Sequence, residues 1–535
     1  MKRIIWSRLF RRWSSSRGED RTRRAKKQLT RATVLPRLEH LEDRTLLSGQ
    51  IYTVISSGDA GLGSGTTGDI RYCINQADLK ANAGSTIEFD IFKLGNTITL
   101  THGELEISDN MTITGPGASS LTITGTNGST QSRIFNITSS TAVVSISGLR
   151  ITSGDGSPTA SATPGNQGGD IFNGGNLTLS NDVVENGFVL GAVGGPPARG
   201  GGIFNAEGQN GGPGAKLTLD NTIVRNNKAQ GASGPNGGPP SSSGAPGGFG
   251  AGGGIYNDTN ALVILETGSQ IVGNQAVGGN GGNGVHALNG ANATVKGFPG
   301  SPGGNGGSGG AGGEALGGGL FNNAGASLSI VGTSGSAIVI SDNAVQGGLG
   351  GNGSYGGNGG NGDGSGIGGK GGDGGNGGAG GSALGGGLYS SGSITNLNYA
   401  QFAGNQAKGA NGGTASYGGN AGNGGATATG GTGGAGGTGG AGGNALGGAI
   451  YNAGAAFTID NSQFGADAVG LGNQAIGGNG NNAGNAGKGG NGGGKLFPGG
   501  RGGDGGPGGA GGLAQGGGVD NLGGNLTINN TTTAA

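Results

Sequence analysis

Gly202-Ile203-Phe204-Asn205, Gly254-Ile255-Tyr256-Asn257, Gly319-Leu320-Phe321-Asn322 and Ala449-Ile450-Tyr451-Asn452 are four statements of one phrase. Variants stand at Asp170-Ile171-Phe172-Asn173, Gly387-Leu388-Tyr389-Ser390 and Gly518-Val519-Asp520-Asn521. A short alternating segment follows most of them, then a third apolar patch ending in Asn. A unit repeated along a chain buries its apolar face only against its neighbours, so such a repeat reads as a solenoid. Period-2 alternation with Thr and Ser outward makes the units strands rather than helices.

Working outward from the phrase, the stretch from Asn96 to about residue 155 carries the same units without long insertions. Ile98-Thr99-Leu100, Leu121-Thr122-Ile123 and Val144-Ser145-Ile146 recur at steps of 23 residues. That spacing predicts a coil of about 22–25 residues with three short strands, the size of a parallel β-helix rung. It also predicts that Ile98, Leu121 and Val144 stack in one buried row continued by Ile171. Beyond residue 155 the phrases at Ile171, Ile203, Ile255, Leu320, Leu388, Ile450 and Val519 lie 32, 52, 65, 68, 62 and 69 residues apart. The excess is Gly-rich: tracts 231–251, 278–313, 347–381, 409–443 and 477–512 each end at the phrase and begin after the third strand's Asn-x-Ala. All should leave one corner of the solenoid.

Composition agrees with a thin shared core. The 535 residues include 144 Gly and 15 Pro, with 31% hydrophobic and 4% aromatic. Collagen would need strict Pro-rich triplets, and this little Pro excludes it. Two conformations suit the Gly-Gly-x triplets: helices of three residues per turn packed side by side, or flexible linkers. Net charge is zero, but residues 1–44 hold 14 basic and 5 acidic residues against 15 and 24 in the remainder. The single Cys73 excludes an intrachain disulfide. No apolar run reaches the roughly 18 residues of a membrane span, and the apolar stretch of a secretory signal is missing after the N-terminal charges.

Residues 49–95 read as a cap. Tyr52 to Ile55 and Thr86 to Asp90 are strands, and Asp69 to Ala81 is a helix with Ile70, Cys73, Ile74 and Ala77 on one face. Such a helix covers the open edge of the first coil. The chain therefore divides into a basic segment (1–48), the cap (49–95), regular coils (96–155) and coils with Gly-rich insertions (156–535).

Two resemblances rest on particular residues. Leu38-Glu39-His40-Leu41-Glu42-Asp43-Arg44-Thr45-Leu46-Leu47-Ser48 resembles the LEPR-XLL segment, a planctomycetal N-terminal motif of large exported proteins, with Asp43 where that family has Pro. It implies an export or sorting address. Asp69-Ile70-Arg71-Tyr72-Cys73-Ile74-Asn75-Gln76-Ala77, Thr86 to Asp90 and Ile107-Ser108-Asp109-Asn110-Met111-Thr112-Ile113-Thr114-Gly115-Pro116-Gly117 are similar, as an ordered series over about residues 50–155, to the opening of polymorphic-outer-membrane-protein-type β-helix proteins. This implies a right-handed parallel β-helix at the bacterial surface.

Chemistry is sparse. Charged residues are 11% of the chain, and the densest cluster is His102, Glu104, Glu106 and Asp109. The two glutamates are expected to face the same way on a solvated strand, with Asp109 at the following turn. His40 and His286 have no evident partner. The Gly-rich tracts lack the Asp spacing of calcium-binding nonapeptides near Asp363, Asp373 and Asp504, and the phosphate-loop pattern near Lys370 and Lys488. Three Asn series recur at bends: Asn173, Asn205, Asn257, Asn322, Asn452 and Asn521; Asn181, Asn221, Asn461 and Asn529; and Asn226 or Asn227, Asn274, Asn343, Asn405 and Asn473. Stacked amides at turns explain them.

The fold class expected is all-β, a right-handed parallel β-helix solenoid of roughly ten coils with a helix-containing cap and Gly-rich insertions. The role expected is a secreted or cell-surface structural or adhesive protein with no enzyme activity. No catalytic, cofactor-binding or metal-ligating residue is assigned, and no cofactor. The partner expected is a cell-envelope or extracellular polysaccharide, with no nucleic acid and no transmembrane segment. The alternatives are a carbohydrate-active lyase or hydrolase, which would show a convergent carboxylate and Arg/Lys patch, and an anionic-polymer binder using the basic arm.

Overall fold

The computed structural model describes residues 49–125, 132–157, 165–208, 212–238, 243–465 and 470–533. The basic arm, His40 and the segment Leu38 to Ser48 lie outside the described residues. Within them the chain is a parallel β-helix. One full coil shows the path: strand Ile203–Asn205, then Lys216–Asp220, Ile223–Arg225, Lys228–Gln230 and Gly250–Ala251, before the phrase returns as Ile255–Asn257. Like strands stack on like, which builds parallel sheets of thirteen, ten and nine strands and two of six. The antiparallel exception among the sheets is the ribbon of Gly63–Ser64 with Thr67–Asp69 in the cap.

Each coil thus contributes up to five strands where the sequence suggested three, because the two shortest, at the insertion corner, are too brief to show alternation. The phrase strand has both apolar residues buried: Ile203 points into the solenoid beside Leu217, Leu219 and Val224, all fully buried. Burying each such side chain contributes about 1.5–3 kcal/mol. Phe204 points the other way, into a second layer of stacked rings. Phe172, Phe204, Tyr256, Phe321, Tyr389 and Tyr451 follow one another at 4.6–5.4 Å between centroids.

The 23-residue row is corrected by the register. Ile98 pairs with Ile123 and Ile123 with Ile151, in the ten-stranded sheet. Val144 lies in the thirteen-stranded sheet opposite Met111 and Leu177, and Ile171 in the nine-stranded sheet opposite Phe135 and Ile203. Leu121 precedes its strand. The equal steps arose because successive turns differ in loop length, so a constant interval sampled different sheets of a coil that is longer than 23 residues.

The cap follows its sequence pattern. The helix spans Ile70–Ala77, Asp69 accepts the Tyr72 N–H at its start, and Ile70, Cys73, Ile74 and Ala77 are its buried face. A short 3₁₀ turn, Lys80–Asn82, replaces the helix's expected last turn.

Two Asn ladders run through the coils that follow residue 170. Asn173, Asn205 and Asn257 each donate an amide N–H to the next Asn, ending at Asn322, at 2.8 Å; Asn322 passes to Ser390 Oγ at 3.0 Å. Asn227, Asn274, Asn343, Asn405 and Asn473 repeat the pattern at 2.9–3.0 Å. The remaining series sits at left-handed turns: Asn181 and Asn221 have φ of 57° and 46°, as Asn461 does at 44°. Its last member is Asn530 (φ 45°) rather than Asn529. Asn tolerates this conformation better than other non-glycine residues.

The five Gly-rich tracts all leave after a strand of one six-stranded sheet and re-enter at a strand of the other. Their described residues are ordered, and the linker alternative falls. Each has an outgoing and a returning arm, and the described residues of the two arms are hydrogen-bonded at every third residue. Within tract 347–381, Gly369, Gly372, Gly375, Gly378 and Gly381 of the returning arm donate to the carbonyls of Gly360, Gly357, Ser354, Gly351 and Gly348 at 2.8 Å. Those five outgoing residues donate in turn to Ser301, Gly304, Gly307, Gly310 and Gly313 of the preceding hairpin's returning arm at 2.8–2.9 Å. A period of three, outside any β-sheet, is the packing of polyproline-II-type helices. One turn shows why the triplet is Gly-Gly-x. The Gly350 N–H bonds the outgoing arm of the next hairpin at Asn411 O, and the Gly351 N–H bonds the returning arm of the preceding hairpin at Gly310 O. A Cβ on Gly350 would overlap the Gly378 carbonyl, and one on Gly351 the Gly282 carbonyl. Only the third residue, Asn352, faces outward and has room for a side chain.

Candidate functional site

Two places gather polar side chains around a concavity: a cleft beneath the cap, and the outgoing face of the glycine array.

The cap cleft, about 520 Å³, is bordered by Arg71, Asn75, Thr101, His102, Glu104 and Glu106. Arg71 reaches from the cap helix to three carbonyls, Asp59, Gly103 and Glu104, at 2.6–2.8 Å, and to the Asp59 carboxylate at 3.2 Å. Asp59, 2% exposed, also accepts from the Thr101 and His102 N–H groups, the Thr101 hydroxyl and His102 Nδ1 at 2.7–3.0 Å. Burial alone would raise the Asp59 carboxyl. The donors from His102 and Thr101 outweigh it and hold the group well below the usual carboxylate range.

The glutamates expected to share a face do not act together. Glu104 is buried: one oxygen takes Arg133 Nε at 2.8 Å and the other Asn136 Nδ2 at 2.7 Å. Arg133, itself fully buried, also donates to Gln167 O and lies over the Phe172 ring. Glu106 is exposed on the strand that follows, Leu105–Ile107. Asp109 lies at the following bend, where its N–H donates to Asp78 Oδ1. Among the described residues His102 Nε2 makes no hydrogen bond. The geometry is that of a clamp joining cap to first coil, with an oriented imidazole at its edge. The sequence cluster missed Asp59, Arg133 and Asn136, distant in the chain; Arg133 alone had a signal, as a charge amid apolar Ile134 and Phe135.

On the array, outgoing arms present their third residues as columns running across the layers. One column is His286, Tyr355, Tyr417 and Asn485; the next, one turn farther out, is Asn289, Asn358, Asn420 and Lys488. His286 and Tyr355 stack at 5.0 Å with parallel planes, and Tyr417 follows at 5.5 Å, tilted by 49°. No ring continues the stack at Asn485. Between the columns lies a groove of about 590 Å³ floored by glycine and alanine. The amide column is itself locked. The N–H groups of Asn358, Asn420 and Lys488 donate to Oδ1 of Asn289, Asn358 and Asn420 at 2.8–2.9 Å. The side-chain oxygen thus replaces the neighbouring helix missing on the outward side. His286, unpaired in the sequence, has its partner here; Lys488 closes the groove.

Asp363 lies at the tip of its hairpin and Asp373 on the returning face, where it accepts from the Ala435 N–H and contacts Lys370 at 3.4 Å. Among the described residues no three His, Cys, Asp or Glu converge as metal ligands, and no helix is long and apolar enough to cross a membrane.

No family profile matches the chain, and no curated protein does. Among solved structures, the crystal structure of the Agl-KA catalytic domain aligns with a TM-score of 0.27 and 14% identity, over 74% of this chain and 54% of that one. A second, "Geobacillus virus E2 - ORF18", aligns at 0.17 and 14% over 65% and 61%. The chain thus spans little more than half the length of either, and at these scores neither likeness bears on function.

Proposed function

We propose that this chain is a non-catalytic structural and adhesive protein of the cell surface or extracellular space. The observation that carries the reading is the glycine array: hairpins stacked layer on layer along the solenoid, with columns of outward side chains, such as Asn289, Asn358 and Asn420, running across them. A display surface of this kind serves attachment, since contacts repeat and each adds to the others. The LEPR-XLL resemblance of residues 38–48 supports export. Glycan cleavage by lyase or hydrolase chemistry needs two titratable groups aimed at one bond. In the densest carboxylate cluster Glu104 is tied to Arg133 and Asn136, and Asp59 to Arg71 and His102, which favours the adhesive reading over the carbohydrate-active one.

Cell fractionation with immunoblotting should place the chain in the envelope or medium, and beads coated with it should adhere to producing cells. Purified protein incubated with pectin and alginate, with and without calcium, should release no new chain ends. Cleavage that disappears in a Glu104→Gln/Glu106→Gln double variant would establish an enzyme instead.

A further inference from the structure

We infer that the groove between the Tyr417 and Asn420 columns binds a linear polysaccharide bearing carboxylate groups. The inference deepens the adhesive reading and rests on it.

Three features of the groove select this ligand. The first is its polarity. Because Oδ1 of Asn289, Asn358 and Asn420 is occupied by a backbone N–H of the next layer, each amide must turn its NH₂ group outward. Among the described residues these three NH₂ groups have no acceptor. The wall is therefore a row of donors only, with the Lys488 ammonium at its end, and its complement is a row of oxygen acceptors.

The second feature is charge. The outgoing stretches 280–292, 349–361, 411–423 and 479–491 contain no Asp or Glu, and Lys488 is their one Lys or Arg. The returning face carries Glu314, Asp373 and Asp504 beside Lys370 and Arg501. An anionic chain is attracted to one face and meets mixed charge on the other.

The third is shape. Tyr417 meets Tyr355 at a 49° tilt and has no ring on its other side, where the fourth layer offers Asn485. The exposed Tyr417 ring, 47% accessible, gives this wall an apolar surface against which a pyranose can pack with its oxygens toward the amides. Four layers spaced like hydrogen-bonded strands give the groove a length of about 14 Å, and one helical turn separates its walls by about 9 Å. An extended glycan fits along it; a globular ligand does not.

The test uses the full chain in affinity electrophoresis and calorimetry with polygalacturonate, alginate and neutral dextran. Wild type should bind both polyuronates, more weakly as salt rises, and dextran at least tenfold less. Tyr417→Ala should weaken polyuronate binding about tenfold and Lys488→Gln about fivefold, while Asp373→Asn on the returning face leaves it unchanged. Tyr417 and Lys488 are exposed, and Asn at the half-exposed position 373 keeps an oxygen for the Ala435 N–H, so each variant should unfold in urea at the wild-type midpoint, which separates lost binding from lost folding. Polyuronate binding that survives both groove variants would overturn the groove. Absence of polyuronate binding in wild type, with bead adhesion intact, would overturn the acidic glycan and leave the adhesive reading standing. Loss of adhesion as well would sink both.

Discussion

In the solenoid, Val224 is stacked between Val184 and Ile271 and fully buried; in the glycine array, Gly351 occupies an equally enclosed position with no side chain at all. Both regions bond layer to layer through backbone N–H and C=O groups, since every insertion springs from a coil. They differ in what fills the space between chains. The solenoid fills it with Ile, Leu, Val and Phe, whose burial opposes the entropy of ordering. The array fills most of it with backbone, so its stability rests on short N–H···O contacts and on keeping nearly all Cβ atoms out of two positions in three, with Ser354 and Ser416 as buried exceptions. Glycine loses more conformational freedom on folding than any other residue. A free-standing array of this size would be poorly stabilised, and the solenoid supplies the template that fixes where each hairpin starts and ends.

That contrast can be broken at either end. The largest effect is expected from Ile123→Asp, which would place an unpaired charge between Ile98 and Ile151, at a cost of several kcal/mol. Urea unfolding should show the cooperative transition of the whole body lost or strongly shifted; a wild-type midpoint would deny the solenoid its governing role. Next in size is Gly351→Ala. Its methyl would overlap the Gly282 carbonyl, and overpacking of this kind costs about 1–3 kcal/mol. The loss should be local. Hydrogen exchange should accelerate at Gly348 and Ser354 on the same arm and at the facing Gly310, while Val224 and Ile271 stay protected. Asn352→Ala, at the outward position, should change exchange far less, because only the bond to the Thr414 N–H and hydroxyl is removed.

How far each region was legible follows from the same contrast. Side chains announce a β-helix: the apolar pair in Ile203-Phe204, the alternation in Leu217-Thr218-Leu219 and the recurring Asn205 each mark a place in the coil. The insertion corner was legible through the constant position of the tracts. The register was not, because unequal turns between Ile98 and Ile151 made a 23-residue coincidence look like a coil. The array's order was half-visible: Gly-Gly-x triplets suit both packed helices and linkers, and only neighbours at matching offsets decide between them. Asn352 lies 69 residues after Asn283, whose Oδ1 accepts its N–H, a pairing that no local window contains. The groove was hidden for the same reason, its columns being assembled from four separate tracts. The cap cleft was misjudged where Glu104 turned inward, since nothing near it in the chain announces Arg133.

Within the solenoid a smaller effect separates polar from apolar stacking. Asn274 donates to Asn343 Oδ1 and Val224 O, and its own Oδ1 receives two N–H groups of Asn227. Asn274→Ala leaves those buried groups without partners, at about 1–3 kcal/mol. Asn274→Asp removes the donors while adding a buried charge, and should be worse. Equal midpoints for the two variants would mean that the ladder contributes shape rather than hydrogen bonding.

The smallest effect belongs to the clamp between cap and coil, and it is a dependence on pH. The Asp59 carboxyl is held below its ordinary range by His102 and Thr101 against the opposing influence of burial. A carboxyl depressed in the folded state binds fewer protons there than in the unfolded chain. It therefore contributes stability above the unfolded value of about 3.9, and that contribution is lost as pH falls below it. With His102 more than half exposed, solvent screening limits the contribution to about 1 kcal/mol. Asp59→Asn should lower the thermal midpoint slightly at pH 7 and make it less sensitive to acid between about pH 4 and pH 2. The loss should begin at the cap, seen as faster exchange at Ile74 and Ala77, with the array unaffected. A variant as acid-sensitive as wild type would show that Arg71, through its three carbonyl acceptors, holds the cap without help from the carboxylate.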